Sequence, residues 1–360
     1  MAQLQIDAID DFVEVVLNKY KEGSWKDISL PLQRYYFAER LFDKAKKSEI
    51  GGPQCEWKLR VRNPGNFKLT GLYAPDTTNR VNVITHGNMP WSQSTTNYSY
   101  DLAEEVFARG AKQIIDYMEQ NEHGLLNDYY SGMEDLMFGT GPTSPTQTYR
   151  PPAGILWWLQ KSATEGFNGG EPSGFESVGT GGILSSTYTR WKNRTFAYAA
   201  IDRDDFVEKC INSMDKCDFK PPAPYPEIAG GKPQWELLTT HSRLAACRKL
   251  LQLGNDNIGN DLAARSGVVY IRGVPLIWIP AWTNSESTNV RTDGPVAGVN
   301  WETFEYHFRE GWSMKKRAPY RDKDSHNVRW RVMDDMGQIV CYDRRANFLG
   351  YSSVTVTEND

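Results

Sequence analysis

The sequence predicts an α+β protein, and three observations predict it. Residues 55–62 alternate strictly between apolar and charged side chains, as a half-buried strand does. Residues 111–138 carry apolar side chains at helical spacing, and residues 235–280 have the pattern of a strand, a helix and a second strand. The chain has 360 residues, enough for two compact units or for one unit with long excursions.

The composition favours a protein that makes large contacts outside its own core. Aromatic residues are 12% of the chain, with twelve Trp, while hydrophobic residues are only 39%. Large aromatic side chains anchor protein interfaces, and the same composition would suit a sugar-binding protein. The net charge of −4 gives no overall attraction to nucleic acid.

The cysteine pattern predicts buried free thiols in a reducing cytoplasm, because the cysteines are odd in number, scattered and without a CxxC pair. The five residues are Cys55, Cys210, Cys217, Cys247 and Cys341. The first residues have neither the basic nor the apolar region of a signal peptide, and no apolar run has the length of a membrane span. We therefore expect a soluble, cytoplasmic protein with no membrane association.

The first 50 residues predict an arm that docks on something else. Residues 6–20 place apolar side chains, including Phe12 and Val16, at helical spacing, and residues 32–47 predict a second helix. Neither helix has an obvious neighbour with which to close a core. We expect deletion of residues 1–47 to leave the rest of the chain folded.

Residues 55–86 predict a long hairpin with one charged face. In the first strand Cys55, Trp57, Leu59 and Val61 share one face, and Glu56, Lys58, Arg60 and Arg62 share the other. The turn sequence NPGN follows, and then two further extended pieces, FKLTGLY (67–73) and RVNVITH (80–86). A two-stranded ribbon is not stable alone in water, so the hairpin must lie on a partner.

The middle of the chain predicts one long helix followed by loops. Residues 111–138 would span about 42 Å as a helix, with Gly124 and Gly132 marking a bend. GILWWL (154–159) is interpreted as a buried strand or turn, residues 166–182 as a glycine-rich loop, and residues 221–233 as a linker. Asp202 is expected to cap a helix with Phe206 and Cys210 on its inner side.

The end of the chain predicts extended segments. RGVPLIWIPAW (272–282) is interpreted as a strand with its prolines at an edge or at the strand ends, and Trp278 and Trp282 as packing anchors. Residues 326–333 and 338–349 are two further strands, which the sequence DDMG is expected to join as a hairpin turn.

No motif in the sequence predicts a catalytic, cofactor or metal site, so we expect no enzyme activity and no cofactor. The sequence contains no GxxxxGK[ST], GxSxG, HExxH or HxH. VGTGG (178–182) is interpreted as a flexible loop, His241 as the start of a helix and His307 as a packed residue of a core or interface. Structural roles are also expected for Asp204–Asp205 in a first helical turn, for Asp334–Asp335 in the hairpin turn, and for the buried Trp157–Trp158.

One cluster of basic residues near the end of the chain leaves two interpretations open. Contact with a nucleic-acid backbone is one, and an inter-subunit salt-bridge network is the other, because Asp322, Asp324 and Asp343 lie within the cluster. The basic residues are Lys315, Lys316, Arg317, Arg321, Lys323, Arg329, Arg331, Arg344 and Arg345.

The order of these segments resembles the major capsid protein of tailed phages, with the Hong Kong 97-type fold. MFGTG with PPAGIL (151–156) resembles the family's glycine loop after its long helix, and TYTRWKNRTFAY (187–198) resembles a Trp-containing segment of coat proteins. VYIRGVPLIWIP resembles the strand–glycine–proline–valine element, and DRRANFLG (343–350) the closing strand. The resemblance covers residue 50 to the end.

The resemblance implies a domain organisation. It implies an N-terminal arm in residues 1–50, an extended β-hairpin E-loop with its flank in 51–100, and a peripheral domain with a long spine helix in 101–217. An axial domain in 218–312 and a return to the peripheral domain in 313–360 complete it.

The resemblance also implies self-assembly into hexamers and pentamers of the icosahedral shell that encloses a tailed double-stranded DNA phage genome. Other implied partners are a separate scaffolding protein, since no fused scaffolding segment precedes the arm, a portal, a decoration protein and packaged DNA held by non-specific contact. The implied location is the virion, with assembly in the host cytoplasm. Candidate inter-subunit contacts are Lys58, Arg60, Arg62, Lys68, Phe12, Val16, Arg344 and Arg345.

Two alternatives stay open at this point. An encapsulin-like compartment would have the same fold and would hold protein cargo. A carbohydrate-binding or enzymatic protein would use its tryptophans to bind a ligand.

Overall fold

The computed structural model of the chain describes most residues between Tyr36 and Val354. The described residues are 36, 40–41, 46–49, 52–61, 65–72, 84–101, 111–148, 150–218, 234–253, 269–282, 293–321, 323 and 327–354. The predicted helix of residues 6–20 with Phe12 and Val16, the hairpin residue Arg62 and the predicted linker 221–233 lie outside this part of the chain.

The described residues contain strands from one end to the other. The strands are β1 (Lys46–Glu49), β2 (Gln54–Arg60), β3 (Ile84–Pro90), β4 (Ser92–Asp101), β5 (Gly166–Gly169), β6 (Asn193–Tyr198), β7 (Trp235–Thr239), β8 (Val269–Ile271), β9 (Val274–Trp278), β10 (Val296–Asn300), β11 (Phe304–Arg309), β12 (Lys315–Lys316), β13 (Tyr320–Arg321), β14 (Val328–Cys341) and β15 (Phe348–Ser352).

The helices are fewer. They are α1 (Ala111–Met137), α2 (Ile155–Trp158), α3 (Glu208–Cys217) and α4 (His241–Leu253). A π-helical turn, Arg203–Val207, leads into α3, and short 3₁₀ helices occur at Thr189–Trp191, Pro280–Trp282, Trp301–Thr303 and Arg344–Ala346.

The chain forms two compact units. The larger unit takes the described residues of Tyr36–Gln93, Met133–Glu310 and Met336–Asp360. The smaller unit takes those of Ser94–Gly132 and Gly311–Asp335, so β4, α1 and β14 each contribute residues to both units.

A seven-stranded mixed sheet forms the centre of the larger unit, in the order β5–β6–β15–β10–β7–β9–β8. The pairs β6/β15 and β7/β9 are parallel and the other neighbours are antiparallel. Helix α3 lies on β6 and β15, and α4 lies on β8 and β9. Phe196 and Phe348 of the sheet are buried in one core with Phe206, Cys210 and Met214, the apolar side of the α3 segment.

Local sequence explains why this helix begins where it does. The Asp202 side chain accepts a hydrogen bond from the Asp205 N–H, as predicted, which satisfies a donor that the start of the helical segment leaves unpaired. Asp204 and Asp205 lie in the first turn, where the helix dipole favours negative charge.

A second sheet in the larger unit joins β1, β11 and the last residues of β14. Strand β1 is parallel to β11, and β11 is antiparallel to β14 from Phe304↔Cys341 to Phe308↔Gly337. Gly337 is required by close packing, because a Cβ placed on it would lie 1.9 Å from the Tyr306 hydroxyl.

The smaller unit contains α1 as far as Gly132 and an antiparallel sheet. Strands β12 and β13 both pair with the first half of β14, and β4 also pairs with β14. Glu122 of α1 forms ion pairs with Lys316 and Arg331 of this sheet. These ion pairs connect the helix to the sheet within the smaller unit.

Several sequence predictions are confirmed. The predicted helix of residues 111–138 is α1, which continues without interruption through Gly124 and Gly132. The predicted strand–helix–strand pattern is β7–α4–β9, with His241 at the first position of α4. All five cysteines are buried free thiols. Pro275 and Pro280 lie near the start of β9 and just beyond its end.

The predicted hairpin turn at DDMG is wrong, because β14 runs unbroken from Val328 to Cys341. Asp334 and Asp335 are tolerated in a buried stretch of strand because both carboxylates have partners. Asp334 pairs with Arg317, and Asp335 accepts a hydrogen bond from the Met314 N–H at 3.0 Å. Paired acids do not need to lie at a turn.

Three further segments differ from expectation. GILWWL is buried but helical, as α2. Residues 65–72, expected to begin a second extended piece, lie in no strand and are exposed. The run around Val274 is two strands, β8 and β9, joined at Arg272 and Gly273, whose φ values of 52° and 77° fit a tight hairpin turn.

We expect Gly337→Ala to destabilise the larger unit by about 1–3 kcal/mol, because the added methyl group overlaps the buried Tyr306 ring. The matched control is Gly124→Ala in α1, where an added Cβ meets nothing within 4 Å and the better helix propensity of Ala favours folding. Thermal unfolding of both variants tests this. Equal melting temperatures for the two variants would contradict the packing constraint.

Candidate assembly hairpin

Strands β2 and β3 form an antiparallel hairpin with one buried and one charged face. Their register runs from Gln54↔Pro90 to Arg60↔Ile84. Cys55 and Trp57 are buried, while Glu56, Lys58 and Arg60 are exposed. The alternation predicted from the sequence is therefore confirmed over these residues.

Hydrogen bonds to the backbone fix the root of the hairpin, the end at Gln54 and Pro90, to the rest of the larger unit. The Asn88 N–H donates to the Gly181 carbonyl at 2.9 Å. The Gln338 side chain donates to the Pro90 carbonyl at 3.0 Å and accepts from the Ala153 N–H at 2.7 Å. The root is thus held to a loop, to the second sheet and to the segment before α2.

A buried thiol–imidazole contact links the hairpin to β11. Cys55 Sγ lies 3.3 Å from His307 Nδ1, and both residues are fully buried. His307 Nε2 lies 2.9 Å from the Tyr342 hydroxyl, which donates to Glu305 at 2.7 Å. Because the thiol and the imidazole have no access to solvent, the contact links two strands and offers no nucleophile to a substrate. His307 is a packed core residue, as predicted.

Trp57 brings the hairpin into an aromatic cluster of the larger unit. Its ring lies edge-on to Trp158 with centroids 6.1 Å apart, and Trp158 packs edge-on against Trp157 at 5.1 Å and Trp191 at 6.4 Å. The predicted burial of Trp157 and Trp158 is confirmed. Edge-to-face packing adds to the area buried by each ring, so the cluster stabilises one orientation of the hairpin root.

The loop that accepts the Asn88 hydrogen bond is clasped by Glu171. The Glu171 carboxylate accepts hydrogen bonds from the Thr180 N–H at 3.1 Å, from the Thr180 hydroxyl at 2.6 Å and from the Ser185 N–H at 2.5 Å. One carboxylate therefore closes residues 171–185, which include most of the predicted glycine-rich loop 166–182, into a fixed shape.

Arg344 lies behind this clasp and is fully buried. Its guanidinium donates to the carbonyls of Trp158 and Gly170, both at 2.7 Å, and to the Thr180 hydroxyl at 3.1 Å. It also lies 3.7 Å from the Glu171 carboxylate. The contact-candidate assignment of Arg344 is therefore wrong in this structure, because its donors bind groups inside the larger unit.

The pKa values of this pair reflect the same contacts. Burial by itself raises the pKa of Glu171, but the hydrogen bonds from Thr180 and Ser185 and the charge of Arg344 lower it more, so the pKa lies below its usual value. Burial lowers the pKa of Arg344 to about 10, against the opposing effect of Glu171. Both groups are therefore charged at neutral pH.

Three large apolar side chains are exposed on the segment between the two strands. Phe67, Leu69 and Leu72 are each more than 90% exposed. We call residues 65–72 the hairpin tip. These three side chains lie within six residues of sequence, and large exposed apolar patches are uncommon on monomeric proteins and are typical of interaction surfaces.

The other predicted contact residues lie at different places. Lys58 and Arg60 are on the exposed face of β2, and Lys68 is in the tip. Arg345 is half-buried, with its guanidinium 4.0 Å from the centre of the Phe167 ring. Phe12, Val16 and Arg62 lie outside the described residues.

No sequence pattern predicts the enclosure of Glu171 or the contact between Cys55 and His307. Cys55 and His307 are separated by 252 positions in the sequence, and no local pattern relates them. Glu171 and Glu176 both lie in the glycine-rich loop, and nothing in the local sequence indicates which of the two carboxylates is enclosed.

The described residues contain no group of three or more His, Cys, Asp or Glu side chains that could hold a metal ion. None of their helices combines the length and apolar character needed to cross a membrane.

Solved structures with a similar fold are phage and particle capsids. The chain matches "Capsid of native GTA particle computed with C5 symmetry" with a TM-score of 0.57 and 11% identity, over 92% of this chain and 94% of the other. It matches "Cyanophage A-1(L) capsid asymmetric unit" with a TM-score of 0.58 and 12% identity, over 91% and 95%. It matches "Gordonia phage Cozz" with a TM-score of 0.55 and 12% identity, over 92% and 89%.

No protein-family model matches the chain, and no curated protein does. The structural matches cover nine tenths of the chain, so its mixed helix-and-sheet architecture is the tailed-phage capsid fold. The fold expected from the resemblance of the sequence is confirmed at this level.

We expect the stability of the larger unit to fall as the pH drops below about 4.5 through the lowered pKa of Glu171. A carboxyl group whose pKa is lower in the folded state stabilises it above the unfolded pKa, and that contribution is lost on protonation. Glu171→Gln should reduce stability at pH 7 by about 2 kcal/mol and flatten the acid dependence, since Arg344 loses the charge that faces it.

Melting temperatures of the wild type and the variant across acidic and neutral pH measure this effect. Glu176→Gln is the matched control, an exposed glutamate of the same loop. If the two variants show the same acid dependence, the clasp does not contribute as described.

Proposed function

We propose that the chain is a major capsid protein that self-assembles into the icosahedral shell of a tailed double-stranded DNA phage. The observation that carries the proposal is the exposed apolar tip of a hairpin whose root is fixed, in a chain with a capsid fold along nine tenths of its length. In this proposal the protein is structural, without a catalytic role or a cofactor.

The exposed apolar side chains of the hairpin tip favour contact with another surface. Burial of apolar surface is favourable by about 25 cal/mol per Å², so Phe67, Leu69 and Leu72 gain stability only when another surface covers them. Seven-residue strands reach about 20 Å, which carries the tip away from the root of the hairpin. The proposal requires that a surface on a second copy of the chain covers the hairpin tip.

A contact between two different surfaces of identical chains is heterologous, and it repeats around a ring until the ring closes. The proposal places hexamers and pentamers of such rings in the shell. Exposed charges on β2, among them Lys58 and Arg60, would pair with the neighbouring copy, and Lys68 would do so at the tip. Arg62, Phe12, Val16 and Arg345 remain proposed contacts.

The finer assignments of the fold belong to the same proposal. Residues 51–100 would be the E-loop with its flank, and α1, which is about 40 Å long, the spine helix of a peripheral domain in 101–217. The axial domain would be 218–312 and the peripheral return 313–360. The seven-stranded sheet takes β7 to β10 from the proposed axial range and β5, β6 and β15 from the flanking ranges.

The proposed arm, residues 1–50, has an anchor near its end. The Tyr36 N–H donates to Glu134 at 2.9 Å, and its hydroxyl donates to Glu236, which also pairs with Arg40. Glu236 further accepts from Trp301 Nε1 at 2.6 Å. Tyr36 and Arg40 therefore belong with the larger unit, and a truncation that tests the arm should end before Tyr36.

Further partners and the location follow from the proposed function. We propose a separate scaffolding protein, a portal, a decoration protein and packaged DNA held by non-specific contact as partners. The proposed location is the virion capsid, with assembly in the host cytoplasm.

The tip is tested by replacing Phe67, Leu69 and Leu72 together with Ser. We expect the variant to fold with an unchanged melting temperature as an unassembled protein but to form at least tenfold fewer shells, because the apolar area of the contact is lost. Electron microscopy and sedimentation of the expressed protein give the yield of particles.

The matched control replaces Val178, Tyr270 and Val354, three exposed apolar residues elsewhere in the larger unit, with Ser. Equal particle yields from the two triple variants would refute the role of the tip. A stable wild-type monomer that forms no particles under any assembly condition would refute the proposed function. Particles that enclose protein cargo and no nucleic acid would favour an encapsulin-like compartment.

The arm is tested by deleting residues 1–35. We expect the truncated chain to stay folded, since the Tyr36 anchor and β1 remain, and to lose shell formation because inter-subunit contacts of the arm are missing. Circular dichroism and particle counts measure the two effects. Normal particles from the truncated chain would show that the arm is dispensable.

A further inference from the structure

The smaller unit presents a sheet face that carries four basic residues. In β12, β13 and the first half of β14, Lys316 lies opposite Met333 and Arg321 lies opposite Arg329. Directly opposed residues share a face of the sheet, and alternate residues of one strand share it too. Lys316, Arg321, Arg329 and Arg331 therefore form one surface, which we call the basic face.

Two of these residues, Arg321 and Arg329, form a like-charge pair, and their repulsion lowers the stability of the sheet. Arg321 and Arg329 are directly opposed on neighbouring strands, where like charges destabilise the pairing. Among the described carboxylates neither arginine has an ion-pair partner; the ion pairs of this sheet belong to Lys316, Arg317 and Arg331. The pair would be stabilised by an anion supplied from outside the chain.

The other two share a single carboxylate. Glu122 contacts both Lys316 and Arg331, and its pKa is lowered first by the hydrogen bond from Lys316, against the effect of burial, and then by the charge of Arg331. Arg331 Nε is buried without a hydrogen-bond partner among the described residues. Asp335 of β14 lies on the same side by the alternation of the strand and accepts the Met314 N–H, so four cations meet two carboxylates of the described residues on this face.

On the opposite face of the same sheet, the basic side chains contact partners within the smaller unit. Arg317 is paired with Asp334, and Lys315 and Arg317 both lie over the Trp312 ring, 5.5 and 5.2 Å from its centre. These cations have partners within the unit. The contrast indicates that the uncompensated positive charge of this sheet, among the described residues, lies at Arg321 and Arg329 of the basic face.

The sequence concentrates positive charge at this place. Residues 315–331 hold seven Lys and Arg against two Asp, while the whole chain has a net charge of −4. A polyanion would thus be attracted to this sheet and repelled by the remainder of the chain.

We propose that the basic face binds the phosphodiester backbone of double-stranded DNA. The inference rests on the proposed function, because a shell that encloses a DNA genome presents this polyanion to its subunits. A duplex carries one negative charge for each ~1.7 Å of its axis, so one ligand can neutralise Arg321 and Arg329 together, while Glu122 already pairs with Lys316 and Arg331. To neutralise the same cations, a second copy of the chain would need a separately positioned carboxylate for each of them.

The residue types support phosphate as the partner. Three of the four cations are arginines, whose planar guanidinium donates two parallel hydrogen bonds to a phosphate. Backbone phosphates are the same for every base pair, so this binding is independent of sequence and falls with salt concentration.

The test uses the full-length protein in its unassembled state and a short DNA duplex, with fluorescence anisotropy over a series of salt concentrations. We expect Arg321→Gln with Arg329→Gln to weaken binding and to reduce the slope of log K against log salt by about 2. The control is Arg248→Gln with Lys249→Gln, which removes two exposed cations from α4 and should leave the slope unchanged.

Folding of the variants gives a second measurement. Because Arg321 and Arg329 repel one another, Arg329→Gln alone should keep or raise the melting temperature at low salt. A large fall in melting temperature would show that the pair has a structural partner, and it would overturn the inference.

Other outcomes also decide the question. An unchanged salt slope in the double variant overturns the inference, as does loss of shell assembly with DNA binding intact, which would assign the face to a second copy. Equal binding of a polyglutamate of matched charge would also overturn the inference. Wild-type protein that binds DNA through this face and never forms shells would contradict the proposed function alone.

Discussion

The buried guanidinium of Arg344 is the interaction on which the rest of the larger unit depends. It joins α2, the loop that Glu171 clasps, and the chain just before β15 through hydrogen bonds to Trp158, Gly170 and Thr180. A buried charge without partners would be costly, so these contacts and the facing carboxylate of Glu171 must form together. The root of the hairpin rests on this loop through Asn88, and the position of the hairpin tip therefore depends on a residue far from it.

The two units leave different kinds of surface unsatisfied. In the larger unit the Arg344 guanidinium and the His307 imidazole have hydrogen-bond partners, and the exposed surface left to be covered is apolar, at Phe67, Leu69 and Leu72. In the smaller unit the unsatisfied surface is electrostatic, at Arg321 and Arg329. Apolar burial acts at short range and hardly depends on salt, whereas charge attraction acts at longer range and is screened by salt. One chain can thus use one surface to join copies and the other to bind a polyanion.

The capsid fold is recognisable here in structure and almost absent from the sequence. Matches at 11–12% identity extend over nine tenths of the chain, while no family model matches it. Cores tolerate many substitutions as long as volume and patterning are kept, so an architecture persists after residue identities have diverged. The order of segments along the chain, and not any single motif, carried the resemblance at the level of sequence.

The sequence by itself determined the local features of this protein. The alternation of Cys55 and Trp57 with charged residues, the helix Ala111–Met137 and the cap by Asp202 follow from patterns of two to four residues, which set which side chains share a face. Only the tertiary structure decided which polar groups are enclosed. Asp334 lies in a strand because Arg317 pairs with it, and of two adjacent arginines the fold buries Arg344 and leaves Arg345 half-exposed on Phe167. Burial of a charge depends on partners that lie far away in the chain, and a local pattern contains no information about them.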